Sequence, residues 1–295
     1  MDILWPFLSV IAAIVLCGNL LVSQIYKIPG QYLVVGLRLL VLIVSLPIVF
    51  FIPAPDDLRF YIAVGLNGII AGFSDIQTFN VAAKHGGGVV SRVLPFQIFI
   101  IFIMWLILHP EIIQEYIARP LNSAGILVAL AGCVYFSSHM RKCSISNDAM
   151  KSLIFPLFGY AIGFVLAKYA FDHSPFHSGV YYYILFQTVV QLPCLLACGL
   201  ISDKPFIKID LRQLFTKTIF ITAGFIFVFW MIHMIAKNYA NTLTPNPSYV
   251  AALVLTTPVW MLIIYKIMGH REDANAKAGI GLTISAILLS ILNLN

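Results

Sequence analysis

The hydrophobic positions form long runs along almost the whole chain, and short polar connections separate these runs. A helix needs about 20 consecutive apolar residues to cross the hydrocarbon core of a bilayer. Ten runs reach that length or come close to it, so the pattern predicts an all-α, polytopic membrane protein with ten transmembrane helices. The predicted ranges are 3–23, 32–52, 60–83, 88–108, 121–138, 151–171, 179–201, 214–236, 248–268 and 277–294.

Two of these runs share an unusual pattern. The fourth run carries Pro95 near its start and is followed by Glu111, and the ninth carries Pro258 and is followed by Glu272. Proline inside a membrane helix is tolerated where neighbouring helices or small polar side chains satisfy the freed carbonyl groups. We predict that both prolines bend their helices and act as gates. Two such helices, one in each half of the chain, also indicate an internal duplication.

Further landmarks support this duplication. Pro29 and Pro47 recur as Pro175 and Pro193 at the same offset. Each half holds five predicted helices, and because five is an odd number the second half must enter the membrane from the opposite side. The sequence therefore predicts two inverted five-helix repeats, an arrangement that recurs in transporters. The predicted boundaries are 1–138 for the first repeat, 139–150 for a polar linker and 151–295 for the second repeat.

The composition excludes several classes of protein. Of the 295 residues, 60% are hydrophobic and only 10% are charged, which leaves no soluble domain. The net charge of +6 is scattered over the connections, as membrane topology produces, and no basic run is dense enough to indicate a nucleic-acid partner. The five cysteines, including Cys143 in the linker, match no metal or redox spacing, so we expect no metal site.

Polar side chains fall on one face of each of two predicted helices, at spacings i, i+3 and i+7. Inverted symmetry would bring these two stripes face to face across a central pathway, so we predict that they bind the substrate. The alternative is that the lysines extend to the lipid head groups and the other side chains hold helices together. The first stripe is Gln77, Asn80 and Lys84, and the second is Trp230, His233 and Lys237.

Three further polar residues join the predicted substrate-binding set. Asp75 is the only acid well inside any predicted helix, and Arg38 lies about two turns into the second helix. A buried charge needs a partner, so Asp75 either forms an ion pair with Arg38 or Arg92 or relays a proton. Extension of Arg38 to the membrane surface is the alternative for that side chain. Gln97 is included because it flanks Pro95.

These features resemble the EamA-type family of the drug/metabolite transporter superfamily. The residues that carry the resemblance are Arg38 in the second helix, the proline helices that end at Glu111 and Glu272, and the small-residue helices that begin near Gly125 and Gly279. The resemblance spans nearly the whole chain. It departs from the family pattern where each glutamate follows a residue other than glycine, and in the long connection between the eighth and ninth helices.

The resemblance implies a secondary transporter that moves a small polar metabolite, such as an amino acid or another anion-bearing solute, by alternating access. It implies a central cavity lined by helices one to four and six to nine, without a metal or organic cofactor. The expected partners are a small-molecule substrate and the lipid bilayer, with a coupling proton as an open alternative. We expect a multi-pass protein of a bacterial inner membrane, either a monomer or a homodimer.

The embedded charges bear on the choice of function. Basic residues outnumber acids inside the predicted helices, which favours a substrate with a carboxylate or phosphate. A membrane-embedded enzyme acting on lipid-linked substrates is the alternative function. Such an enzyme needs a clustered acid–base or nucleophile set, and no Ser–His or His–Asp pair has a convincing spacing here. We therefore expect a transporter and no enzyme.

The basic residues of the connections indicate an orientation. Two connections on one side hold only Arg59 and Arg119. The positive-inside rule therefore places both termini outside the cytoplasm, whereas the resemblance implies termini inside. The opposite side collects Lys27, Arg141, Lys142, Lys151, Lys204, Lys208, Arg212, Lys217, Arg271 and Lys277.

Overall fold

The computed structural model describes residues 4–140, 145–204, 207–269 and 275–294. Several residues that carried expectations above lie outside these ranges: Arg141, Lys142, Cys143, Arg271 and Glu272. The described chain is all-helical and contains no strand. The helices are α1 (Leu4–Tyr26), α2 (Gly30–Ser45), α3 (Leu58–His85), α4 (Gly87–Val93), α5 (Gln97–Leu108), α6 (Glu111–Ala118), α7 (Pro120–Ser138), α8 (Asn147–Asp172), α9 (Phe176–Ile201), α10 (Leu211–Leu214), α11 (Lys217–Thr242), α12 (Pro247–Val254), α13 (Thr257–Ile267) and α14 (Ala276–Leu294).

Nine spans of the described chain are long and apolar enough to cross a membrane. α2 contributes one together with the 3-10 segment Leu46–Phe50, α4 with α5 contributes another, and α12 with α13 a third. The tenth predicted helix corresponds to α14, whose apolar part, Lys277–Leu292, is shorter than the roughly 20 residues of a full span. Large apolar side chains such as Phe50 and Leu121 are exposed, as expected for surfaces that face lipid. The chain has the helices of a multi-pass membrane protein.

Polar caps and prolines set the starts of several helices. Asp57, Ser146 and Asn246 precede α3, α8 and α12, and each side chain accepts a hydrogen bond from a backbone N–H of the first turn. Pro29 and Pro175 precede α2 and α9 with ψ angles of 136° and 144°, so the chain is extended just before each helix. These starts therefore follow from local chemistry as well as from hydropathy.

Two of the spans are broken near their middle. α4 and α5 are separated by the 3-10 segment Leu94–Phe96, which contains Pro95, and α12 and α13 by a turn just before Pro258. The hydroxyl groups of Thr256 and Thr257 donate hydrogen bonds of 2.7 Å to carbonyl oxygens three residues earlier. Small polar side chains thus satisfy carbonyl groups that the broken helix leaves without a backbone donor.

The packing places eight helices around the centre and two outside it. α1 packs extensively on α11, and α3 on α8. α3 also packs on α9, α2 on α11, α2 on α9, α5 on α8 and α1 on α12. α7 and α14 pack mainly on each other, with further contacts to the broken helices. The central space is therefore enclosed by α1–α3, α8, α9, α11 and the two broken helices.

The structure corrects two boundaries predicted from the sequence and adds one helix. α11 continues to Thr242, because the buried amides of Asn238 and Asn241 lie on its protein-facing side, so the predicted polar connection shrinks to residues 243–246. α8 begins at Asn147, inside the predicted linker, because Ser146 caps it. α6 was not predicted, because its eight residues are too few for a membrane-length run.

Candidate functional site

A cavity of about 110 Å³ lies at the centre of the described chain, with walls from α1, α2, α3, α5, α8, α9, α11 and α12. One water molecule needs roughly 10–15 Å³ by the same measure, so the cavity has room for a small solute. Most of the wall is apolar. Its polar and tryptophan side chains are Asn19, Arg38, Asn67, Asp75, Thr78, Gln97, Tyr160, Tyr183, Gln187, Trp230, His233 and Lys237.

An ion pair lies in the wall of this cavity. Nη2 of Arg38 in α2 is 3.2 Å from Oδ2 of Asp75 in α3, and Arg38 is only 1% exposed. The guanidinium carbon also lies 4.2 Å from the ring centroid of Trp230 in α11, which makes a cation–π contact. Three helices therefore converge on one guanidinium group. The alternative that made Asp75 the counter-ion of Arg38 is confirmed.

The second carboxylate oxygen of Asp75 has its own partner. The hydroxyl group of Tyr160 in α8 lies 2.8 Å from Oδ1 of Asp75 and 3.0 Å from the hydroxyl oxygen of Thr78. On the other side of the pair, Nη1 of Arg38 is 3.4 Å from the Thr188 hydroxyl, and its Nε has no hydrogen-bond partner among the described residues. Asp75 thus contacts the guanidinium at a single point and leaves some of its donors free.

The α11 side of the cavity is basic. Nζ of the half-buried Lys237 lies 5.0 Å from the ring centroid of Phe164, and no carboxylate of the described residues forms a salt bridge with it. Nδ1 of His233 lies 2.9 Å from the carbonyl oxygen of Ala12. A carbonyl oxygen only accepts, so Nδ1 carries the proton and Nε2 is the nitrogen left to interact with a solute. Arg38, Lys237 and Asp75 together give the cavity a net charge of +1.

Four amide side chains in the wall have free acceptors. The side-chain oxygens of Asn19, Asn67, Gln97 and Gln187 are buried and have no hydrogen-bond partner among the described residues. A buried polar atom without a partner is unfavourable. The four cavity-lining residues therefore carry hydrogen-bond acceptors that no described protein group uses.

The structure brings most of the predicted binding residues together and separates the rest. Gln77, Asn80 and Lys84 do not line the cavity, so the prediction that the two stripes face each other is wrong for the first stripe. Oδ1 of Asn80 instead accepts a 2.7 Å hydrogen bond from the backbone N–H of Gly30, and Lys84 forms an exposed ion pair of 2.7 Å with Asp148. The predicted residues that do line it are Arg38, Asp75, Gln97, Trp230, His233 and Lys237.

The error in the first stripe is an error of helix phase. Successive residues of an α-helix are rotated by about 100°, so Gln77, two residues after Asp75, points about 200° away from it. The cavity face of α3 instead carries Asn67, Ala71, Asp75 and Thr78, at spacings of four, four and three residues. A polar stripe on a membrane helix indicates a side that faces the protein interior. That side can line a cavity or pack against another helix, and the sequence does not distinguish the two.

The two predicted gate prolines are buried beside the cavity. Leu94, which precedes Pro95, and Leu255, three residues before Pro258, both line the cavity wall. Both breaks in the helices therefore reach the same space. The gating role of the prolines stays a prediction.

Several cavity residues were not predicted as site residues. Asn19, Asn67 and Gln187 are isolated polar residues near the middle of apolar runs, and that isolation was the available signal. Tyr160 and Tyr183 carried no such signal, because tyrosine is common in membrane helices near the interface. Their role becomes visible only when the packing of α8 and α9 brings them to α3, where Tyr183 hydrogen-bonds Asn67.

The described residues contain no group of three or more His, Cys, Asp or Glu side chains arranged to hold a metal ion. The cavity therefore consists of one ion pair, one further ammonium group, one imidazole and a set of amide and hydroxyl groups. Such a set can bind an anionic group together with neutral hydrogen-bond donors.

Comparison with known proteins gives information on the fold alone. No family model and no curated protein matches the chain. The crystal structure of another protein aligns with 100% of this chain and 99% of its own, with a TM-score of 0.55 and 14% sequence identity. At that identity the likeness shows that the two proteins share a fold over their whole length. Membership of the EamA-type family therefore stays a prediction.

Proposed function

We propose that the protein is a secondary transporter that moves a small polar solute with an anionic group across a membrane by alternating access. One observation carries this function: the Arg38–Asp75 pair lies in a cavity near the middle of the membrane-length helices, where both broken helices meet. Charged side chains inside membrane helices are costly, and those that persist usually mark a substrate, ion or proton pathway.

The packing supports an arrangement as two inverted repeats of the EamA type. In that arrangement α1, α2 and α3 correspond to α8, α9 and α11, the two broken helices correspond to each other, and α7 corresponds to α14. If the halves are exchanged, the contact of α1 with α11 becomes the contact of α8 with α3. In the same way, α2 with α11 becomes α9 with α3, and α1 with α12 becomes α8 with the first broken helix. All six are main contacts of the fold, and α2–α9 and α7–α14 exchange with themselves. A duplicated unit explains this symmetry.

The helix starts agree with the same duplication. A shift of 159 residues superposes the starts of α3 and α11, and it also places the cavity residues Ala71 and Thr78 on Trp230 and Lys237. A shift of 153 residues, which would place the stripe Gln77, Asn80 and Lys84 on Trp230, His233 and Lys237, does neither. The corresponding pairs of first residues are Gly30 with Phe176, Leu58 with Lys217, and Gly87 with Pro247.

Broken helices are typical of transporter sites. In inverted-repeat transporters, discontinuous helices meet near the middle of the membrane and place backbone groups around the substrate. Here both breaks reach the cavity, through Leu94 and Gln97 of the first span and Val254 and Leu255 of the second. A bend at each break would let one repeat move against the other, which alternating access requires.

The charges of the cavity support an anion-bearing substrate. Its net charge of +1 attracts one negative group, and Lys237 has no carboxylate partner in the described chain. The free oxygens of Asn19, Asn67, Gln97 and Gln187 favour a solute that also carries N–H or O–H donors. An amino acid, a hydroxy acid or a small phosphate ester has both features.

Counterflow into proteoliposomes tests this function. Purified protein is reconstituted, the vesicles are loaded with unlabelled solute, and uptake of radiolabelled L-serine, L-glutamate and glycerol phosphate is measured, with erythritol and choline as neutral and cationic controls. We expect uptake of at least one anion-bearing probe and no uptake of choline. Absence of counterflow for every anion-bearing probe contradicts the function, and recovery of a chemically altered probe without uptake favours a membrane-embedded enzyme.

A matched pair of variants links transport to the cavity. Arg38→Gln removes the buried guanidinium and should lower uptake about tenfold or more, because loss of one partner of a buried charge pair costs several kcal/mol. Arg59→Gln removes an exposed guanidinium that forms a 2.7 Å pair with Asp57, and it should leave uptake unchanged. Equal uptake by the two variants would show that the cavity is not the site.

A further inference from the structure

Asp75 occupies the position that the anionic group of a solute would take. Its Oδ2 lies 3.2 Å from the guanidinium of Arg38, and its Oδ1 is held at 2.8 Å by the hydroxyl group of Tyr160. A solute carboxylate or phosphate that enters this cavity meets a cation whose charge is already balanced by a side chain. Binding of the solute to Arg38 therefore requires Asp75 to move away from the guanidinium group.

We propose that Asp75 is a resident counter-ion which the anionic group of the solute displaces from Arg38, and that Asp75 takes up one proton in the same step. The protein would then carry one proton together with each anionic solute. This inference rests on the proposed transport function, and it adds the coupling ion and the residue that carries it.

The geometry at Arg38 favours displacement. Asp75 meets the guanidinium with one oxygen at 3.2 Å, whereas charge-assisted bonds between a guanidinium and a carboxylate are about 2.7–2.9 Å when they form as a two-point contact. Nε of Arg38 has no partner among the described residues. Once Asp75 has moved aside, a carboxylate or phosphate with two oxygens can accept hydrogen bonds from two N–H groups of the guanidinium together. The solute therefore makes a stronger pair with Arg38 than Asp75 does.

Charge balance then requires a proton on Asp75. Before binding, Arg38, Lys237 and Asp75 give a net charge of +1. Displaced from Arg38 and still ionised, Asp75 would have no cation within salt-bridge distance, because Lys237, the other cation of the cavity, forms no salt bridge with it in the described chain. A carboxylate left in this way in a mostly apolar wall is unfavourable. A proton from the water on the side where the solute enters joins Asp75. A solute of net charge −1, such as L-glutamate, adds one negative charge and the proton adds one positive charge, so the net charge of the cavity stays +1. The proton leaves when Asp75 pairs with Arg38 again.

Tyr160 keeps Asp75 in place during this exchange. Its hydroxyl group can donate to Oδ1 in both protonation states, since the proton taken up by Asp75 goes to the oxygen that Arg38 releases. Among the described residues, α1 and the two broken helices contribute no charged side chain to the cavity wall, and their polar groups there are the amides of Asn19 and Gln97. The titratable or charged groups that face Asp75 are Arg38 from α2, Tyr160 from α8, Tyr183 from α9, and His233 and Lys237 from α11.

The test compares driven accumulation with exchange in the same vesicles. The probes are the L-serine, L-glutamate and glycerol phosphate of the counterflow experiment, the membrane potential is clamped at zero, and the outside is one pH unit more acidic than the lumen. For one proton per solute, this gradient can drive about tenfold accumulation. We expect the unaltered protein to accumulate the probe that it exchanges and to acidify the lumen, read with a trapped pH-sensitive dye against protein-free vesicles.

Variants assign the proton to its carrier. Asp75→Asn should keep counterflow within about threefold but lose accumulation, because the amide leaves Arg38 free for the solute and cannot exchange a proton. Asp75→Glu should keep both. Asp172→Asn is the matched control, since Asp172 forms a 2.9 Å ion pair with Lys168 outside the cavity, and it should keep both. His233→Gln removes the other group in the cavity that could carry the proton. Because His233 lines the cavity, this variant should lower counterflow and accumulation by the same factor, which shows a loss of binding without a loss of coupling.

Several results would overturn the inference. Accumulation by Asp75→Asn would show that Asp75 does not carry the proton, and loss of accumulation without an equal loss of counterflow in His233→Gln would assign the proton to the imidazole. Loss of counterflow in a folded Asp75→Asn protein would show that the carboxylate is needed for binding. If Asp75→Asn does not fold, the unaltered protein still tests proton coupling. Accumulation of the probe without acidification of the lumen would contradict that coupling. In each of these cases counterflow by the unaltered protein leaves the transport function standing.

Discussion

At the scale of single residues, the cation–π contact between Arg38 and Trp230 ties α2 to α11 across the cavity. Tryptophan makes the strongest such contact, worth about 0.5–2 kcal/mol, so Trp230→Leu should raise the KM for the anion-bearing probe roughly 2- to 30-fold while Trp230→Phe should have a smaller effect. Trp260→Leu is the control, since Trp260 does not line the cavity. KM measured by initial uptake rates checks this, and equal effects of Trp230→Leu and Trp260→Leu would contradict it.

Lys84 and Lys237, which occupy the same position in the two predicted stripes, provide a second comparison. Lys237 lies in the cavity without a carboxylate partner in the described chain, whereas Lys84 is 68% exposed and pairs with Asp148. Exposed ion pairs contribute at most about 1 kcal/mol, so Lys84→Gln should leave the KM of uptake nearly unchanged, whereas Lys237→Gln should raise it about tenfold. A larger effect of Lys84→Gln would restore the predicted two-stripe pathway.

The sequence identified part of this site because charge is rare in membrane helices. Arg38, Asp75 and Lys237 were recognisable as isolated charges, and their cost in an apolar segment implies partners. Which face of a helix meets the cavity could not be predicted in the same way. Both lipid and the packed interior are apolar. Hydropathy therefore predicts where a helix lies in the sequence but not which of its faces points into the protein. The polar side chain of Asn80 holds two helices together, since its Oδ1 accepts a hydrogen bond from the backbone N–H of Gly30, and it does not line the cavity.

At the scale of elements, the close approach of helices follows from glycine. A Cβ atom on Gly30 would overlap the carbonyl oxygen of Ile76 in α3, whereas one on Gly224 would have no neighbour within 4 Å. Gly30→Ala should therefore destabilise the protein by about 1–3 kcal/mol, as overpacking does, while Gly224→Ala should be neutral or slightly stabilising. Thermal unfolding in detergent measures both, and an equal unfolding temperature for the two variants would contradict the packing.

Gly125 and Gly132 form a close-packing face on α7. A Cβ atom on Gly125 would lie 2.8 Å from the side chain of Leu292, and one on Gly132 would lie 3.1 Å from Cβ of Ser285, both in α14. Their spacing of seven residues carried that information, because two turns of a helix return to the same face. The partner helix could not be predicted, since many small residues have the same spacing.

The broken helices lead to a prediction about rates. Pro95 lies in the 3-10 segment between α4 and α5, whereas Pro193 lies within the continuous helix α9. Pro95→Ala restores a backbone N–H at the break and should straighten the span, so it should slow uptake more than it lowers the yield of folded protein. Pro193→Ala should change both little. Equal losses of rate and yield for Pro95→Ala would show that this proline is only structural.

At the scale of the whole molecule, the sequence predicted the order of the helices better than the match between the halves. Nine of the ten predicted helices are membrane-length spans in the described chain, and α14 is shorter. In the proposed repeats, Pro29 and Pro175 precede corresponding helices, so their offset of 146 residues fits this arrangement. The offset of 153 residues that aligns Lys84 with Lys237 differs by six residues from the 159 that superposes the starts of α3 and α11. Residues that look alike in the two halves therefore need not have the same place in the fold.

Alternating access makes a prediction about the end of the molecule where α3 ends and α8 begins. There Lys84 and Asp148 form a 2.7 Å ion pair, and Nε2 of His85 lies 3.5 Å from the same carboxylate. In the proposed repeats, α3 belongs to the first half and α8 to the second, so opening of this end must separate the pair. A disulfide between cysteines at positions 84 and 148, with the native cysteines removed, should stop uptake, and reduction should restore it.

A second crosslink separates this effect from a general loss of flexibility. The side chain of Asn122 in α7 lies 3.3 Å from the carbonyl oxygen of Leu292 in α14, in the peripheral helix pair that has no part in the cavity wall. Cysteines at positions 122 and 292 should crosslink without stopping uptake. Full uptake with the 84–148 crosslink in place would show that this end stays closed during turnover, and transport would then need a pathway that does not pass between α3 and α8.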